Sequence, residues 1–335
     1  MGISSSLGSS ALLPAGLGFR NKIINGGFDV NQRAFSSATA DATFGFDRWQ
    51  LATSGGTTYS AQTFALGNTI PNQEPTNHAR LVTTGQSGTG VYSILSQKIE
   101  DVRTSAGQQI TVSFYAKAAS GTPKVAIELT QNFGTGGSPS SEVNNYFGQI
   151  VLSTSWTKYV VTGSLPSISG KTLGSASSYL RLLLWVSAGT DFNSRTGSIG
   201  IQSNTFDFWG VQLEQNYQPT PFEQRPYGVE LALCQRYYEA ERTILQQMYW
   251  ASDATGTVYG GSFVFNTAKR AAPTIKTYDA VNTIDRHSTF SAGASRTDNR
   301  QANSIESSPT GFSVRGYAVA GAYGYGFYWT AESEL

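Results

Sequence analysis

Cysteine and histidine are almost missing from this chain. A single cysteine, Cys234, forbids an intrachain disulfide and any thiolate-rich metal centre. Two histidines, His78 and His287, leave almost no material for a histidine-based zinc or iron site. Charge is scarce as well. Asp, Glu, Lys and Arg make up 13% of the residues, where a globular protein has roughly 25%. The 23 basic and 22 acidic residues nearly cancel, leaving a formal net charge of +1. A nucleic-acid binder needs a basic face to neutralise phosphates, so that class is excluded. The apolar residues 12–17 are few, are broken by Pro14 and Gly16, and follow no basic residue. Neither a signal peptide nor a membrane span is expected there. Synthesis in a reducing cytosol is the expectation for a large chain so poor in cysteine.

What is present is glycine, small polar residues and rings. The 335 residues include 36 Gly, 18 Phe, 17 Tyr and 6 Trp, and 39% of the chain is hydrophobic. That content can fill a core, which excludes a disordered chain. At a loose prior of about 150 residues per domain, the length suggests two domains.

Residues 1–18 are Gly/Ser-rich without periodicity. They read as an arm that orders only against a partner, or as a frayed terminus. From residue 19 to about 225, strand follows strand. Ile110, Val112, Phe114 and Ala116 alternate with Thr111, Ser113, Tyr115 and Lys117; Val125, Ile127 and Leu129 alternate in the same way. Residues 156–162 and 180–186 are richer in apolar side chains and suit strands covered on both sides. Turn-formers separate these runs, and the absence of intervening helices means a sandwich or jelly roll. Residues 205–214 form its closing strand, with Gly210 a bulge. After Pro226 the apolar spacing turns helical, with Val229, Leu233 and Tyr237 at i, i+4 and i+8, so one short helix is expected over 228–239. Cys234 on its apolar side is a buried hydrophobe rather than a nucleophile. Beyond about 240 the pattern returns to strands at 258–265, 274–278, 312–319 and 323–330, separated by a polar stretch at 292–309. The expected organisation is all-β: an arm (1–18), a jelly-roll β-sandwich (19–225), a linking α-helix (226–240) and a smaller C-terminal β-sandwich (241–335). A unit that small buries proportionately less surface and is expected to lean on neighbouring copies.

Several motifs carry a resemblance. The opening Leu13-Pro14-Ala15-Gly16, then residues 21–33 (NKIINGGFDVNQR) and Phe46-Asp47-Arg48-Trp49, resemble the start of a family of bacteriophage virion appendage proteins. Residues 209–214 (WGVQLE), 220–228 (TPFEQRPYG) and 230–238 (ELALCQRYY) are similar to the same family's hinge, and 329–335 (WTAESEL) to its C-terminus. The resemblance implies a tail-fibre, head-fibre or related virion protein, with a jelly roll like those of carbohydrate-binding modules. In such jelly rolls an acid of the opening strand and one of the last strand hold a structural calcium, which implies Asp29 and Asp207 here. Calcium takes six to eight oxygens, so carbonyls and water would have to help; the alternative is two aspartates capping turns. The run 191–197 starts like a calcium loop but has Arg195 where an acid belongs, and it is read as a loop.

A pyranose receptor needs an aromatic platform flanked by amides or carboxylates. Tyr92 and Tyr115 sit on otherwise polar strand faces, and Asn144 with Tyr146, like Gln131-Asn132-Phe133, pairs amides with rings. Trp49, Trp156, Trp185 and Trp209 lie in apolar runs and read as core. Tyr323, Tyr325, Phe327 and Trp329 share one face of a strand, with Gly324 and Gly326 on the other. That ladder is core, a recognition stripe or a subunit interface.

Catalytic machinery is not evident. Neither histidine neighbours a nucleophile elbow, and both read as solvated turn residues. No pair of acids is marked as a glycosidase would need. The expected protein is a non-enzymatic virion appendage, assembled in the host cytoplasm, that attaches to host surface glycan. A homotrimer is expected, docked on other virion proteins through its arm, with no nucleic acid and no membrane insertion. The alternatives are a head-decoration or collar fibre acting as a spacer, and a glycan depolymerase.

Overall fold

The computed structural model describes residues 19–67, 70, 73–249, 258–291, 296–301, 304–317 and 322–335. The arm expected over 1–18 lies outside them. The first unit is built from β1 (Ser37–Ala38), β2 (Gln50–Thr53), β3 (Thr57–Thr63), β4 (Asn77–Thr83), β5 (Tyr92–Glu100), β6 (Gln109–Ala118), β7 (Lys124–Asn132), β8 (Val143–Val151), β9 (Thr157–Ser164), β10 (Tyr179–Ala188) and β11 (Asn204–Glu214). They pair antiparallel in two sheets, ordered β1-β3-β4-β11-β6-β9 and β2-β5-β10-β7-β8. Apart from the β3–β4 and β7–β8 hairpins, successive strands lie in opposite sheets, which makes the unit a jelly-roll sandwich.

Alternation explains which side chain goes where. On β10, Leu180, Leu182 and Leu184 enter the core between the sheets, while Leu183 and Trp185 belong to a second cluster on the outer face of the five-stranded sheet. Phe28, Phe46, Trp49, Tyr59, Phe114, Phe206 and Phe208 fill the inner core and are fully buried. Burying such a side chain contributes about 1.5–3 kcal/mol. The strand read as closing the sandwich, β11, lies in the middle of its sheet between β4 and β6. Gly210 (φ 63°) sits where its register to β6 shifts, the expected bulge. Strand β9 is half-exposed along its length rather than covered on both sides, because it forms the sheet's edge. The opening Asn-Gly-Gly also has a backbone reason. Asn25 takes a positive φ of 57°, and a Cβ on Gly26 would meet the Val211 carbonyl oxygen at 2.2 Å.

Helix α1 (Asn193–Thr196) follows one 3-10 turn (Thr190–Phe192), so the run read as a loop is coiled. Helix α2 (Tyr227–Gln235) is shorter than the spacing predicts. The chain leaves it because Tyr238 pairs with Glu332 as the first residue of β12 (Tyr238–Tyr249). The second unit continues with β13 (Val258–Val264), β14 (Thr274–Tyr278), β15 (Arg286–Ser291), β16 (Arg296–Gln301), β17 (Ser304–Ser308), β18 (Gly311–Tyr317) and β19 (Ala322–Glu332). One sheet runs β12-β19-β15-β16 with β14 also on β19, and β13-β18-β17 forms the other. Phe263, Phe265, Phe312, Val314, Tyr325, Phe327 and Trp329 pack between them. The stretch 292–309 read as a polar separator contains β16 and β17. Both histidines are buried on strands, contrary to the solvated turns expected. His78 packs on Phe64 and Trp156, and His287 on Tyr325.

The residues that carry the resemblance meet where the two units join. Arg48 is buried, ion-pairs with Glu334 and lies 3.4 Å from the centre of the Tyr237 ring. Arg33 lies 3.6 Å from the Tyr238 ring centre and approaches Glu332 and Glu334 at 3.4 and 3.5 Å. The Gln32 side-chain amide donates to the Tyr238 carbonyl (2.8 Å) and to Asp47 (2.5 Å). Arg236 makes a two-pronged bond to Glu100 at 2.8 and 2.9 Å.

Candidate functional site

The outer face of the five-stranded sheet carries rows of side chains set by the register. One row runs Gln50, Ser96, Leu183, Glu128, Tyr146; the next runs Lys98, Arg181, Thr130, Asn144. A hollow of about 440 Å³ opens on this face, lined among others by Tyr92, Ile94, Leu183, Trp185, Phe192 and Arg195. Its apolar floor is Ile94, Leu183 and Trp185. Phe192, delivered by the 3-10 turn, stands 5.2 Å from the Trp185 ring and 5.7 Å from Tyr92. The rim is polar: Asp41, Gln50, Lys98, Glu142, Arg181 and Arg195.

Beneath the rim lies a buried charge. Glu128 is fully buried and accepts from Trp185 Nε1 (2.7 Å), Arg195 Nε (2.8 Å) and Arg195 Nη2 (3.1 Å). Burial raises the pKa of its carboxyl, and Arg195 offsets only part of that. The triad fixes Trp185 in the floor and holds Arg195 5.1 Å from the centre of the Trp185 ring. Sequence reasoning placed Trp185 in core, where it is buried, and missed Phe192, Arg181 and Arg195 as site residues. The apolar surroundings of Trp185 in residues 180–186 hid the fact that odd and even positions face different clusters. A hollow of similar size, about 450 Å³, lies beside Phe263 and Phe312 of the second unit, but hydroxyls and exposed Glu306 line it, without converging buried charge.

The structure brings Tyr92, Asn144 and Tyr146 to this one face. Tyr92 lines the hollow directly. Asn144 accepts from Thr130 Oγ1 at 2.9 Å, and Tyr146 is exposed with its hydroxyl against Gly197. Tyr115 belongs elsewhere: it lies on the six-stranded sheet, half-buried against Trp209 at 5.7 Å. Tyr325 requires a correction. It is buried in the second core, stacked with Phe327, and its hydroxyl donates to the Val314 carbonyl at 3.3 Å, so it presents no surface to a ligand. The side chain of Tyr323 lies outside the described residues.

Asp29 and Asp207 do not fit a shared calcium site. Asp207 is buried and receives Arg80 at 2.7 and 2.9 Å, with His78 at 3.6 Å and Lys117 at 3.7 Å. Burial alone would raise its pKa, but the hydrogen bonds from Arg80, helped by the neighbouring His78 ring, more than offset it and hold the carboxyl below its usual value. A carboxylate so surrounded by cations has no coordination left for a metal. The acid whose charge Asp29 feels is Glu230, which is itself bound by Arg225 at 3.1 Å. Among the described residues no group of three or more His, Cys, Asp or Glu is placed to hold a metal ion. Nor is any helix there long and apolar enough to cross a membrane.

No family model matches the chain, and no curated protein matches it. Partial likenesses to solved structures exist. The enzymatically active domain of tailspike protein 4 from bacteriophage CBA120 aligns with 59% of this chain and 22% of its own, at 12% identity and a TM-score of 0.33. The chain thus spans about a fifth of the length of that solved domain. A family 11 carbohydrate-binding module from Clostridium thermocellum, in complex with a β-1,3-1,4-mixed-linked tetrasaccharide, aligns with 56% of this chain and 99% of its own, at 13% identity and a TM-score of 0.34. TmCBM61, in complex with β-1,4-galactotriose, aligns with 59% of this chain and 100% of its own, at 10% identity and a TM-score of 0.31.

Proposed function

We propose that this protein is a non-catalytic bacteriophage appendage that holds a virion to host surface polysaccharide through the outer face of its five-stranded sheet. One observation carries the binding part: an open hollow in which the half-exposed rings of Tyr92 and Phe192 stand over an apolar floor, ringed by amide, carboxylate and guanidinium groups. A sugar offers an apolar C–H face and hydroxyls, and this arrangement meets both. The virion assignment rests on the sequence motifs resembling phage appendage proteins. In that reading residues 1–18 dock on other virion proteins and copies assemble as a homotrimer. Trimerisation has a use, because one site with a millimolar Kd contributes only about 4 kcal/mol, and linked copies raise avidity by about 10²–10⁴.

Two acids, Asp41 and Glu142, line the hollow. Both are exposed, and each is engaged: Asp41 accepts from the Thr53 backbone amide at 2.8 Å, Glu142 from Asn132 at 3.0 Å. A glycosidase's general acid needs shelter to keep its proton near neutral pH, which favours binding over cleavage. The test is a host-polysaccharide array probed with the purified protein and with Tyr92→Ala. Specific binding weakened about tenfold by the loss of one stacking ring is expected. Silence across the array refutes the proposal in favour of a spacer.

A further inference from the structure

The hollow holds two neighbouring cations, and one of them, Arg181, is left with most of its donors unused. Arg181 on β10 and Lys98 on β5 are direct cross-strand partners on the same face, and like charges so placed repel. Among the described residues, Arg181 uses one of its five donors, Nη2 to Ser96 Oγ at 2.8 Å; its Nε is buried without an acceptor. Lys98 Nζ donates to a main-chain oxygen of Leu335 at 2.6 Å and lies 4.7 Å from the centre of the Tyr179 ring. Burial, together with Arg181, Arg48 and Arg270, pushes the Lys98 pKa down to about 8.

The other charges facing the hollow have partners. Arg195 is paired with Glu128, and Asp41 and Glu142 serve Thr53 and Asn132. Glu142 acts on both cations electrostatically, but among the described residues neither acid comes within ion-pair distance of Arg181 or Lys98. Placing two cations side by side on a sheet costs stability, and a carboxylate delivered by a ligand would relieve it. A guanidinium offers parallel N–H donors that match a carboxylate bidentately.

We infer that the hollow selects acidic sugars, with the uronate carboxylate bound by Arg181 and Lys98 while the ring lies against Tyr92 and Phe192. The inference rests on the glycan-binding reading and names its ligand class. The test uses the intact protein and tetrasaccharides of galacturonate, mannuronate and hyaluronan, each beside its carboxyl-reduced copy, in titration calorimetry. At least one acidic tetrasaccharide should bind tenfold or more tighter than its reduced copy. Arg181→Gln should erase that preference, so that the acidic tetrasaccharide and its reduced copy bind within about threefold of each other. Equal affinity for an acidic sugar and its reduced copy overturns the selection for acid and leaves the glycan reading standing. Binding of neither form, with neutral glucans also silent, overturns both. If the variant does not fold, the comparison of native and reduced sugars on the unaltered protein decides alone.

Discussion

Replacing Arg195 by methionine removes the partner of a carboxylate that no water reaches. Glu128 is fully buried, whereas the Arg195 side chain keeps 29% of its exposure. Breaking a buried pair from one side costs about 3–5 kcal/mol, and the open side of Arg195 puts this case near the lower end, about 3 kcal/mol. The cost should depend on pH with a definite sign. In the fold, burial raises the Glu128 carboxyl above its unfolded value, so a bound proton favours the folded state. That contribution is complete below the unfolded pKa of about 4.3 and is lost as pH rises through the higher folded value. Without Arg195 the folded value climbs further. The variant's deficit should therefore be about 3 kcal/mol at pH 8 and shrink towards about 1 kcal/mol at pH 5. Urea unfolding followed by tryptophan fluorescence reports it, since Trp49, Trp156, Trp185 and Trp209 all lie in the first sandwich. Arg195→Met combined with Glu128→Gln should regain most of the loss, because glutamine still accepts from Trp185 Nε1 without carrying charge. A deficit under 1 kcal/mol that is flat with pH, or a double variant no better than the single, would refute the reasoning.

Glu334→Gln should uncouple the two sandwiches, because Arg48 is left buried beside Tyr237 without its acid; a loss of about 3 kcal/mol is expected, with one calorimetric transition splitting into two. Asp207, whose folded pKa is lowered, supplies stability that is present above the unfolded value of about 3.9 and lost as pH falls through the folded one. Arg80→Ala should accordingly move the acid-unfolding midpoint to higher pH, and an unchanged midpoint counts against the Arg80–Asp207 pair as its source. Incubation with host capsule should release no new reducing ends; turnover abolished by Asp41→Asn or Glu142→Gln would make the hollow an active site instead.

The strands were legible wherever one face is polar. Residues 110–117 and 124–130 alternate cleanly, and β6 and β7 cover them. Legibility failed where both faces are apolar. In 180–186 the sequence does not say that Leu182 meets the inner core while Leu183 and Trp185 floor a hollow, because period two is invisible when both faces carry the same residue type. It failed again in 292–309, where strands rich in Ser, Thr, Asn and Arg look like loop; they are held by pairing with β15 and with β18, whose Phe312 and Val314 enter the core. In sequence, Asn144 and Tyr146 form one amide-and-ring pair and Tyr92 is a separate ring on a polar strand face. That they share a face follows from cross-strand register, which no local window contains.

The long sequence words and the hollow do different physical work. At the junction each residue meets several fixed partners at once: Arg48 touches Glu334, Tyr237 and the Lys98 carbonyl, and Gln32 bridges Asp47 and Tyr238. Such groups are buried and charged or hydrogen-bonded, so a substitution leaves some partner unsatisfied, and few residue types serve. That is why this region spells motifs that can be read as a family likeness. The rim of the hollow is instead assembled from alternate positions on separate strands and from one turn, each contributing a ring or a charge on a surface, where many residue types are sterically admissible. Lys98 belongs to both: it lines the hollow and its amine holds a main-chain oxygen of Leu335. The junction therefore sets where one cation of the site stands, and the scaffold's rigidity, rather than any motif of its own, gives the hollow its shape.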